Sequence, residues 1–221
     1  METTIDLNGL FRAVLTVLQQ HCLKLNQADA FNQNHGDHML AVFQVAARAA
    51  QEKQGAILAE AMDYAAGLLR QLPHNGSAQV YARGLGALAG QFRQRSLGLD
   101  ELAPYARQAL RSPAAGSPAE GAPAQADAAA PRAGEILKAL ASALSAWERL
   151  EADPSGPPGD LDMGALFGMG MAYLQAKQVG GSRLQTLAEA MVQASPLGRL
   201  PHRAQSGRLV FQTLLREMAQ P

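Results

Sequence analysis

Residues 6–25 read DLNGLFRAVLTVLQQHCLKL. Leu7, Leu10, Phe11, Val14, Leu18, Cys22 and Leu25 recur there at three- and four-residue steps, the spacing that puts apolar side chains on one face of an α-helix. No segment of the chain shows the period of two that marks a strand, and Ala, Leu and Gln outweigh the β-branched residues. An all-α protein is expected.

The same pattern continues outward. The polar stretch 26–36 ends the first helix. Met39, Val42, Phe43, Ala46 and Ala50 mark a second, and Gly55 a break. Ile57, Leu58, Ala61, Met62, Ala65, Leu68, Leu69 and Leu72 mark a third. Pro73-His74-Asn75-Gly76 is turn chemistry, with Ser77 a natural N-cap for a fourth helix through Tyr81, Gly84, Leu85, Leu88 and Phe92. A shorter helix is expected over 99–110. Residues 112–131 are almost all Ala, Pro, Gly and Ser, with too little apolar bulk to offset the entropy of ordering them. The chain therefore divides into a first helical unit at 1–111, a flexible Ala/Pro linker at 112–131 and a second helical unit at 132–221. Trp147 falls on the first apolar stripe of that second unit, and Met163, Met169 and Met171 read as core filler.

The two units resemble each other in order as well as in composition. Gly36-Asp37-His38-Met39, Leu58-Ala59-Glu60-Ala61-Met62, Leu72-Pro73-His74 and Ser77-Ala78 are matched by Gly159-Asp160-Leu161-Asp162-Met163, Leu187-Ala188-Glu189-Ala190-Met191, Leu200-Pro201-His202 and Ser206-Gly207. Four strings in register point to an internal duplication: two related four-helix up-down units, closing into one barrel or standing as two bundles.

Lys plus Arg and Asp plus Glu balance at 19 each among 221 residues, so there is no basic surplus to neutralise phosphates and nucleic acid is not an expected partner. Cys22 is the single cysteine and reads as a buried structural thiol. The acidic first residues do not read as a secretory signal, and every apolar stretch falls short of the ~20 residues that span a bilayer. A soluble, cytoplasmic protein without a membrane segment is expected.

Up-down alternation puts the loops before the second and fourth helices, 26–38 and 73–77, at one end. Helix N-termini there offer free N–H groups and positive dipole ends to an anion. Asn26-Gln27-Ala28-Asp29-Ala30-Phe31, His35-Gly36-Asp37-His38 and Gly76-Ser77-Ala78 follow one another in the order of motifs seen in the nucleotide-binding subunit of dihydroxyacetone kinase (DhaL) and the related domain of fatty-acid kinases, which this chain resembles. Asp160-Leu161-Asp162-Met163-Gly164 and Gln205-Ser206-Gly207 repeat the resemblance more weakly. It implies an eight-helix DhaL-like barrel whose rim holds Mg with ATP or ADP. The metal ligands would come from Asp37, Asp160 and Asp162, with His35 and His38 beside the first, and the phosphate contacts from Asn75, Gly76, Ser77, Ser206 and Gly207. The chain departs from that pattern where His35 replaces an aspartate, Met39 a glycine and Leu161 a glycine. Imidazole suits a transition metal such as Zn²⁺ better than Mg²⁺. Asp37 and Ser77 also have a plain role open to them as helix caps. The expected function is a binding or scaffold protein without independent kinase activity, for a protein partner or a small apolar ligand. The alternative is a Mg-nucleotide-binding phosphotransferase subunit.

Overall fold

A computed structural model describes residues 6–96, 99, 104, 106–107, 143, 146–147 and 182–220. The fold is all-helical, as expected. Among the described residues six α-helices follow one another: α1 (Leu7–Ala28), α2 (His35–Glu52), α3 (Leu58–Arg70), α4 (Gly76–Arg95), α5 (Arg183–Gln193) and α6 (Pro201–Ala219). A single 3-10 turn, Pro196–Arg199, joins α5 to α6. The linker at 112–131 and the acidic pair Asp160 and Asp162 lie outside the described residues, as do Met163, Met169 and Met171.

Local chemistry explains the boundaries. Asp6 caps α1 by accepting from the Gly9 amide at 2.7 Å. Ser182 and Gln185 form a reciprocal capping box at the start of α5. Ser96 ends α4 in the left-handed conformation at φ 51°. The helices pair as hairpins, α1 on α2, α3 on α4 and α5 on α6, and α6 lies along α1 and touches α2. One apolar cluster joins Phe11, Val14, Leu18, Leu25, Met39, Phe43 and Tyr81 of the early helices to Trp147, Leu197 and Val210 of the later segment. The apolar stripe of 6–25 is the face that forms this core, except that Leu7 and Cys22 are only partly buried. Among the described residues no helix is long and apolar enough to cross a membrane.

Among the described glycines, the one with least room for a side chain is at the start of α2. A Cβ on Gly36 would lie 2.3 Å from the Cys22 carbonyl oxygen and 2.9 Å from Asn26 Oδ1, both on α1. Gly36 is therefore a helix-crossing glycine. Replacing Gly36 by Ala should force α1 and α2 apart and lower stability by about 3 kcal/mol, a fall of about 10 °C in Tm. Gly67→Ala in α3 is the control: nothing lies within 4 Å of its Cβ position. That change should raise stability by up to ~1 kcal/mol through the unfolded chain. Thermal melts of the two variants check both signs.

Candidate functional site

The loops before α2 and α4 do meet at one end, and Asn75 makes the junction. Its Oδ1 accepts from the Ala78 amide at 2.9 Å and its Nδ2 donates to the His38 carbonyl at 2.9 Å, so one buried amide caps α4 and ties it to α2. The N-cap of α4 is thus Asn75 rather than Ser77: Ser77 is the second residue of the helix, and its hydroxyl is free to reach across to His35.

His35, the first residue of α2, is 3 % exposed and bonded at both ring nitrogens. Nε2 lies 2.9 Å from Ser206 Oγ and Nδ1 3.3 Å from Ser77 Oγ. The Ser206 hydroxyl donates its proton to the Arg203 carbonyl at 3.0 Å, so its oxygen is left to accept from His35. That assigns the proton to Nε2 and makes Nδ1 the acceptor of the Ser77 hydroxyl, a chain in which every proton is used. Burial pushes the His35 pKa down to about 4, with the nearby charges of His202, Arg203 and His38 acting the same way and Asp29 against them. His202 packs edge-on against His35 at 4.7 Å between ring centroids and meets Phe31 at 6.4 Å. Its pKa is also lowered by burial, with Arg203 adding to the effect and Asp29 opposing it. Asp29, 5 % exposed, accepts from the Phe31 and Asn32 amides at 3.0 and 3.5 Å. Burial alone would raise its carboxyl, but those amides and His202 outweigh it and hold the pKa below the ordinary carboxylate value.

Asp37 faces the other way, towards α1. Asn26 Nδ2 donates to Asp37 Oδ2 at 3.0 Å and the Cys22 thiol to Oδ1 at 3.4 Å. Asn26 Oδ1 accepts from the Gly36 amide at 2.6 Å and the Asp37 amide at 3.3 Å. The cap of α2 is therefore a side chain borrowed from α1, and Asp37 is not the N-cap. Burial and then the Asp37 hydrogen bond and charge raise the Cys22 pKa, which keeps the thiol protonated and poorly nucleophilic.

These positions bear on the metal residues expected in this half of the chain. Among the described residues no group of three or more His, Cys, Asp and Glu side chains comes together to hold a metal ion. His35 points inward to two serines, Asp37 to Asn26 and Cys22, and the backbone carbonyl of His38 to Asn75. The only hard oxygen donor of the trio is Asp37, so the residues present on this half do not fit Mg²⁺. The helix-opening turn expected at Ser206 and Gly207 is corrected. They do not open a helix: Pro201, whose missing N–H and preset φ suit a first helical position, starts α6 one turn earlier. Ser206 is fully buried, and Gly207 is where a Cβ would press on Leu197 and Val192 at 3.1 Å, so it serves the packing of α6 on the segment before it.

Gly76, Ser77 and Asn75 are thus brought together with His35 and Ser206, while Asp37 and His38 are not part of one cluster with His35. The sequence reading named Asn26 only within a motif string and Tyr81 only as a helix position, and it gave His202 and Arg203 no part in the site. For His202 there was a signal, the matching Leu-Pro-His strings, but no pattern in the chain tells a buried His from a loop one. No family model, curated protein or solved structure matches the chain.

Acid should loosen this end of the bundle. The folded pKa of His35 lies below its ordinary value of 6.5, so the unfolded chain binds more protons between the two. The stabilisation is whole above pH 6.5 and is lost progressively as pH falls to about 4, with a total of about 3 kcal/mol. Urea unfolding across that range should show this decline, and His35→Gln should flatten it.

Proposed function

We propose that the chain is a binding or scaffold protein with the layout of the DhaL family and without independent kinase activity, its two related helical units closing into one eight-helix barrel. One observation carries this reading. His35 and Asp37, which stand where the resemblance puts the acidic metal-binding motif, have their side chains committed to Ser77, Ser206, Asn26 and Cys22. A phosphoryl-transfer rim needs free carboxylate oxygens for the metal that bridges the phosphates. A binding protein needs only a rigid, well-bonded end. Phe31 and Leu23, each 78 % exposed, offer apolar surface there for a protein partner or a small apolar ligand.

The alternative, a Mg-nucleotide-binding phosphotransferase subunit, is favoured by the meeting of the α2 and α4 N-termini. It has to draw its metal ligands from Asp160 and Asp162. Incubation of the purified chain with Mg–ATP decides between the two. No turnover, and no rise in Tm that needs both Mg²⁺ and ATP, is the expected result. Mg²⁺-dependent turnover that disappears in an Asp160→Asn, Asp162→Asn double variant would overturn the binding reading.

A further inference from the structure

We draw no further inference here: the strongest candidate, the exposed Phe31 on the turn between α1 and α2, whose amide the Asp29 carboxylate holds and whose ring meets His202 edge-on, is an apolar surface for which nothing in the structure shows what covers it.

Discussion

A buried imidazole serves two hydroxyl partners without an unpaired proton only while it is neutral, and this condition governs the end of the bundle where His35 lies. Its ring spans from α4 to α6 through Ser77 and Ser206, a link across 171 residues of chain at one end and 42 at the other. Apolar contacts among Leu18, Phe43, Leu197 and Val210 hold α6 onto α1 and α2, but such contacts are non-directional and tolerate sliding. The His35 bonds do not. Each has one donor, one acceptor and a narrow range of length, so they set the register of α6 on the early helices. Ser206 has no exposed surface, and displacing it would bury a hydroxyl without a partner.

That arrangement depends in turn on how closely α1 and α2 cross. Gly36 lets the start of α2 press on the Cys22 carbonyl, and the proximity allows Asn26 to act as the cap of a helix to which it does not belong. Asn34, in the usual cap position, makes no side-chain cap bond. A larger residue at position 36 would move His35 off both serines. Packing at the crossing and polar bonding at the rim are therefore one constraint, expressed on neighbouring residues.

Much of the fold was legible because burial leaves a period. Leu10, Phe11, Val14, Leu18 and Leu25 recur at helical steps and all lie in the core. The turn at 73–76 was legible because Pro and Asn-Gly punctuate the chain. The site was legible by segment and misjudged by atom. The meeting of the loops before α2 and α4 follows from helix parity, but the direction of a side chain does not. His35 was placed with Asp37 because the two are close in sequence, yet residues two apart on a helix face away from each other. Ser206-Gly207 resembled a helix-opening turn because Ser77 lies in one, and the resemblance hid the role of Pro201 as a starter. Asn26 opens one of the quoted strings, but its role as the cap of α2 comes from what lies beside it in space.

Electrostatic balance links these departures. A rim that carries a divalent metal sets the positive ion against several carboxylates, and the helix N-termini then face the phosphates. In this chain an imidazole held neutral by burial begins α2, and Asp37 is drawn back to α1. The helix starts keep their positive ends, and Arg203 strengthens them. Neutral His35 suits such an end of the bundle, since a second positive charge near Arg203 would be repelled.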